Sequence, residues 1–174
     1  MEITLENIKL ASDILAGNIV KTPEIESRFL SDLIRGITYL KLENLQHTSS
    51  FKARGAYVSI KSLTDEQKKA GVIAMSAGNH AQAVAWWAKK QNIRATIIMP
   101  EQAPFSKVMK TKALGAKVIL KGRTLNESQE FVHKLIKDES LTLIHPYDDT
   151  NVILGQGTIG LELMQSLPDL DAIV

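Results

Sequence analysis

The sequence predicts an α/β fold, a parallel sheet layered between helices, and three observations predict it. Four short runs rich in β-branched residues, 72–75, 95–99, 116–120 and 141–144, recur within residues 71–146. Each is apolar on both faces, as a parallel strand covered from both sides has to be. Segments of helix length separate the runs by short connections, the pattern of right-handed βαβ crossovers.

The remaining elements follow in chain order. A helix is expected over residues 5–16, stopped by Gly17, and a strand over residues 37–43. A helix over about 52–63 comes next, and Thr64 with Gln67 caps another short one. Inside the sheet region the first helix opens near Asn79 and runs to Gln91, with Val84, Trp87, Ala88 and Gln91 at helical spacing on one face. The second begins at Pro104 and stops at Gly115, residues suited to a first turn and to a C-terminus. The third carries a capping box, Thr124 with Glu127, and a buried stripe of Phe131, Val132, Leu135 and Ile136. Residues 157–167 read as helical, and 171–174 as the first residues of a buried strand. A chain that stops inside a core strand leaves a sheet edge unpaired, so the sequence reads as a truncated piece of a longer protein.

Composition narrows the functional classes. The 174 residues are 44% hydrophobic and 23% charged with a formal net charge of +2, as in an ordinary globular protein. No block of like charges points to nucleic acid or to a membrane surface. There is no cysteine, which excludes disulfides, thiolate metal sites and a cysteine nucleophile and fits a reducing compartment. The first residues carry early acids and do not form a signal peptide. No apolar stretch has the length needed to span a bilayer. These features lead us to expect a cytoplasmic protein.

Two motifs carry chemistry. In "SSFKARGA", Lys52 lies between Phe51 and Ala53, ahead of Arg54 and Gly55. An amine that attacks an aldehyde must first lose its proton, and desolvation or a nearby cation makes that easier. Arg54 and a helix N-terminus are both close in sequence. The second motif, "SAGNHAQA", starts at Ser76, at the carboxyl end of the first sheet strand, the edge where open α/β sheets bind ligands. Its small residues allow close backbone approach, and the following helix offers free N–H groups and the positive end of its dipole to an anion. Ser76 adds a hydroxyl, and Asn79 and His80 add side-chain donors.

The two motifs in this order, roughly two dozen residues apart, resemble the fold-type II family of pyridoxal-phosphate enzymes, in the branch of threonine/serine dehydratases and serine racemases. "HPYDDTNVILGQGTIGLELM" also resembles that branch, and most of all its catabolic threonine dehydratases. The cysteine-synthase motifs S-x-K-D-R and T-S-G-N-T-G are absent. The resemblance covers essentially the whole chain, as an N-terminal portion of the family's fold. It implies that Lys52 binds pyridoxal 5'-phosphate as a Schiff base and that Phe51 lies against the pyridine ring. It further implies that Asn79 bonds the ring's phenolic oxygen, and that Ser76, Ala77, Gly78, Asn79 and His80 grip the substrate carboxylate. No metal is implied. The implied reaction is loss of water and ammonia from L-threonine or L-serine to give a 2-oxo acid. The implied partners are a small amino-acid substrate and further copies of the full-length chain in a homo-oligomer.

Several details refine this picture. Racemases of the branch usually have a second serine where this chain has Ala77, which has no proton to give, so elimination is expected to dominate. Ser49 and Ala83 stand where the branch usually has glycine. "GQGTIG" (155–160) matches a dinucleotide fingerprint, but a strand before it is only weakly present in "NVIL". His47, His133 and His145 lack metal-ligand spacing. Trp86 and Trp87 point roughly a hundred degrees apart on a helix, so one is expected in the core. The fold expected is two-lobed and three-layered (α/β/α). The small lobe, residues 71–146, is an open parallel four-stranded sheet, and the incomplete large lobe comprises residues 1–70 and 147–174. Two alternatives stay open: a serine racemase of the same family, and a fragment that folds as a non-catalytic α/β module.

Overall fold

Helix α1 (Leu5–Leu15) begins where the Thr4 hydroxyl accepts a hydrogen bond from the Asn7 N–H, so its own sequence caps it. The computed structural model describes residues 2–174, apart from the side chain of Leu125. Strand β1 (Glu24–Glu26), helix α2 (Arg28–Ile34) and strand β2 (Tyr39–Lys41) follow. The strand expected over 37–43 is only these three residues, because β1, its antiparallel partner, is equally short. Neither β1 nor α2 is legible beforehand: a three-residue strand has no period to read, and α2 buries none of its residues.

Two 3-10 turns (Glu43–Leu45 and His47–Ser49) lead into α3 (Lys52–Lys61). The short α4 (Asp65–Ala70) carries the expected capping box: Thr64 accepts from the Gln67 N–H and the Gln67 side chain accepts from the Thr64 N–H.

The rest alternates strand and helix as the sequence predicts. In order come β3 (Val72–Met75), α5 (Asn79–Lys90), β4 (Ala95–Met99), α6 (Phe105–Ala113), β5 (Lys117–Leu120), α7 (Leu125–Glu139), β6 (Thr142–Leu143) and α8 (Thr150–Ser166). The four strands form one parallel sheet in the order β5-β4-β3-β6. Alternate residues supply its two faces. Val72, Ala74, Ile97 and Met99 join the core under α5 and α6, whereas Ile73 and Ile98 meet Val132 of α7 on the other side. These are the three expected layers. At the start of α7 the capping box is shifted by one residue, since the Glu127 carboxylate accepts from the Arg123 N–H instead of from Thr124.

Two expectations at the C-terminal end are corrected. Helix α8 starts at Thr150, well before 157, because the Asp149 carboxylate accepts from the Val152 N–H and caps it there. "NVIL" is therefore helical, and the strand that a dinucleotide fingerprint requires is absent. Residues 171–174 form no strand and lie exposed, with no ladder partner among the described residues. No helix among the described residues is long and apolar enough to cross a membrane.

Helices α1, α3 and α8 pack together beside the sheet, and α3 also packs on α5. Two glycines set how closely α3 and α8 approach. A Cβ built on Gly155 would lie 2.6 Å from Gly55 Cα, and one on Gly55 would lie 2.6 Å from the Val152 carbonyl oxygen. The "GQGTIG" glycines thus serve helix packing, at least at Gly155. Gly155→Ala should destabilise the fold by about 1–3 kcal/mol through overpacking. A Cβ on Gly160, in the same helix, meets nothing within 4 Å, so Gly160→Ala should stabilise by about 0.5–1 kcal/mol. Urea unfolding of the two variants measures both effects.

Candidate active site

The sheet order fixes where a ligand can lie. The chain winds from β3 through β4 to β5 on one side, then returns to place β6 on the other side of β3. The crevice outside the carboxyl ends of β3 and β6 is the point where the winding reverses, and open α/β sheets bind ligands at such points. Two segments leave the strands there, the 76–78 turn after β3 and the 144–146 strap after β6. The Lys52 Nζ reaches this crevice from α3 and donates a 2.7 Å hydrogen bond to the Pro146 carbonyl.

Local structure places Lys52 there. Ser50 precedes α3 and its hydroxyl accepts from the Lys52 N–H at 3.2 Å. Just before it, Thr48 and Ser49 both adopt left-handed backbone, at φ 58 and 57. Glycine takes that conformation freely and L-residues resist it, which accounts for the glycine more usual at position 49. Ala83, the other departure, is fully buried inside α5, where an L-residue meets no backbone penalty. Lys52 is half-buried, and burial lowers its pKa below the ordinary lysine value, favouring the neutral amine. Its Nζ lies over the Phe51 ring, 5.1 Å from the centroid, and that ring is 40% exposed.

The turn after β3 leaves backbone donors free. The Ser76 hydroxyl accepts from the Gly78 N–H at 3.1 Å, which tightens the turn, and no side chain caps the helix that follows. The first-turn N–H groups of α5 therefore remain for a ligand, at the positive end of the helix dipole. Asn79 is exposed at this end. His80 differs from the side-chain donor expected of it: its ring is 3% exposed and its Nε2 lies 2.8 Å from the Ile144 carbonyl oxygen. Only its backbone faces the turn.

Arg54 is corrected as well. It does not act on Lys52, because its guanidinium has no exposure and turns to the opposite side of α3. There it makes paired hydrogen bonds to Glu43 and to Glu162, and a further one to the Thr158 hydroxyl. Lys41 joins the same cluster through Glu162 and Glu24. Burial alone would raise the Glu162 pKa, but hydrogen bonds from Arg54 and Lys41 hold it below the usual carboxylate range. These acids are separated from Arg54 by up to 108 positions, and no local motif announces them. The carbonyls of Ile144 and Pro146 were equally illegible, since any residue type can offer one.

Of the two tryptophans, Trp87 is the core residue, packed on Tyr57 and donating its Nε1–H to the Ala53 carbonyl at 2.7 Å. Trp86 is half-buried, with Lys90 over its ring. His47 lies tilted against Trp86 and edge-on to Trp87, and His133 is exposed on α7.

The donor set could hold a ligand that carries an aldehyde, an aromatic ring and an anionic group. A half-buried amine could take an aldehyde carbon, the Phe51 ring could lie against an aromatic, and the 76–78 turn with the α5 N–H groups could take anionic oxygens. Comparison with known proteins agrees. The family described as pyridoxal-phosphate dependent enzyme matches residues 15–174. The catabolic L-threonine dehydratase TdcB of Staphylococcus aureus (strain USA300) is 49% identical over 173 residues, 99% of this chain and 50% of its own length. A serine racemase structure from Dictyostelium discoideum superposes with a TM-score of 0.91 at 39% identity, covering 97% of this chain and 55% of that one. The processed form of threonine deaminase isoform 2 from Solanum lycopersicum gives a TM-score of 0.86 at 39% identity, covering 97% of this chain and 48% of that one. The chain spans about half the length of the curated relatives it matches.

Two measurements probe the site's construction. Burial pushes His80 down to about 4, against about 6.5 in an unfolded chain. Between these values the unfolded chain binds a proton that the folded chain refuses. Stability should therefore fall as pH drops from about 6.5 to about 4, and urea unfolding of His80→Gln should show that slope flattened. Ser49→Gly should raise stability by about 0.5–1 kcal/mol, the relief of left-handed strain less the freedom glycine adds to the unfolded chain.

Proposed function

The chain belongs to the pyridoxal-phosphate-dependent enzymes, and from that premise we propose that it forms part of an L-threonine/L-serine ammonia-lyase in which Lys52 binds the cofactor. The observation that carries this is the half-buried Lys52 amine held on Pro146 beside the 76–78 turn. Phe51 would lie against the pyridine ring, and Asn79 would hold its phenolic oxygen. The Ser76 hydroxyl and the backbone N–H groups of Ala77, Gly78, Asn79 and His80 hold the substrate carboxylate. Because the relatives are about twice as long, turnover is assigned to a polypeptide of their length.

Pyridoxal phosphate supplies an electron sink conjugated to the substrate's α-carbon. The chain's own residues do the rest. The carboxylate grip orients the α-hydrogen towards the crevice wall that carries Lys52. The Lys52 Nζ, free once the substrate amine has displaced it, would take that proton as a general base, helped by the burial that lowers its pKa. The proton taken from the α-carbon would pass to the departing β-hydroxyl, which leaves as water, and the enamine left behind would tautomerise to an imine and hydrolyse to a 2-oxo acid and ammonia. Closure of residues 71–146 against 1–70 and 147–174 would shut bulk water out of the crevice during these steps.

The named function of the curated relatives favours a catabolic role over one in isoleucine biosynthesis. We place the enzyme in the cytoplasm, where free amino acids are its substrate, and as a homo-oligomer. Exposed Phe29, Leu33 and Ile34 on α2 support a subunit contact.

The racemase likeness raises a second reading, which Ala77 disfavours. The methyl of Ala77 offers no proton to the face of the substrate opposite Lys52, so reprotonation with inverted configuration should be poor. Lys52→Ala in the complete polypeptide should abolish both the cofactor absorbance band and turnover, and an undiminished rate would overturn the assignment. Ala77→Ser should gain measurable racemisation of L-serine, read by chiral chromatography. No D-serine from that variant would remove the role given to Ala77.

A further inference from the structure

His80 is 3% exposed, yet the chemistry above uses only its backbone. Burial keeps the ring neutral down to about pH 4, with Lys52 and His145 further opposing a positive charge. A carbonyl can only accept, so the proton sits on Nε2 and is donated to Ile144. The Nδ1 lone pair is then left buried without a partner. An apolar side chain would fill this space without stranding an acceptor, so packing alone does not account for a histidine.

The Ile144–His80 bond lies at a crossing point. The Ile144 N–H still belongs to the sheet, donating to the Ile73 carbonyl at 2.9 Å. Beyond it the chain leaves β6 and runs to α8, carrying two residues later the Pro146 carbonyl that receives the Lys52 amine. One strap thus meets a ring from α5 and an amine from α3. The charged or titratable groups that act on His80 are Lys52 on α3, and His145 and Asp149 on the strap and its continuation. The His145 Nδ1 is engaged by the Asp148 and Tyr147 N–H groups, which rounds the strap into its turn.

We propose that His80 is a positioning residue for Lys52: by donating to Ile144 it fixes the 144–146 strap at the crevice, and the strap in turn fixes the amine. This deepens, and rests on, the reading of Lys52 as the cofactor-binding amine.

The test is competitive acetylation of the folded 174-residue chain with trace acetic anhydride across the range in which lysines titrate. Lys52 is read by peptide mass spectrometry, with exposed Lys61 and Lys89 as internal references. In the unaltered chain Lys52 should titrate below both references. His80→Leu should move its profile towards theirs, lowering relative reactivity at neutral pH about threefold or more. His80→Gln, whose amide can still donate to Ile144, should restore the original profile. A Lys52 profile unchanged in folded His80→Leu, or a glutamine variant that behaves like the leucine one, overturns the proposal. If His80→Leu does not fold, nitrogen NMR of the unaltered ring decides: a proton on Nε2 supports the proposal, and a proton on Nδ1 overturns it. Adding pyridoxal phosphate to the complete polypeptide separates the two readings. A His80-dependent Lys52 profile without a cofactor absorbance band upholds the positioning role and removes the cofactor assignment. A cofactor band with a Lys52 profile indifferent to His80 does the reverse.

Discussion

A guanidinium keeps its charge even when buried, so a fully buried one is costly unless carboxylates pair with it. Arg54 meets that demand with Glu43 from the turn before α3 and Glu162 from α8, each through two hydrogen bonds. The demand is mutual, because removing any one member would leave the others charged and dry. It pins α3 from two directions, on the flank opposite the crevice, and α3 is the helix that delivers Lys52. The Gly55–Gly155 contact fixes the same helix pair by shape, one residue along from the arginine. Charge and close packing thus agree on one placement of a single helix.

With α3 fixed, the sheet supplies the opposite wall. Its strands need no polar instruction: alternate residues of β3 and β4 meet different cores, and the helices take the face left to them. The consequence for chemistry is indirect. Reversal of the winding at β3 brings together two segments that share no sequence feature, the turn after β3 and the strap after β6. The amine lies where both can reach it. A short, irregular strap is well suited to this position, since its carbonyls are free of ladder pairing and can be turned inwards.

This explains which parts were legible in the sequence. The four sheet strands and the helices between them could be read because buried parallel strands are apolar runs and their caps are local. Membership of the family could be read because the Lys52 and 76–80 motifs stand in its order and spacing. The residues that hold them could not. Glu162 looks like any acid on a helix, and the Ile144 and Pro146 carbonyls belong to side chains that say nothing about them. Arg54 was misread because closeness in sequence on a helix was taken for closeness in space, whereas two positions along a helix point to nearly opposite sides. The strand expected at 171–174 failed on another ground: an apolar, β-branched run becomes a strand only where a neighbour offers it a ladder.

The indole of Trp87 gives this architecture an optical property. It stands on α5, donates to the Ala53 carbonyl of α3 and lies against Tyr57. Any swing that parts these two helices must break that bond and wet the ring, so the emission colour of this one side chain follows the gap between the helices beside the Lys52 amine.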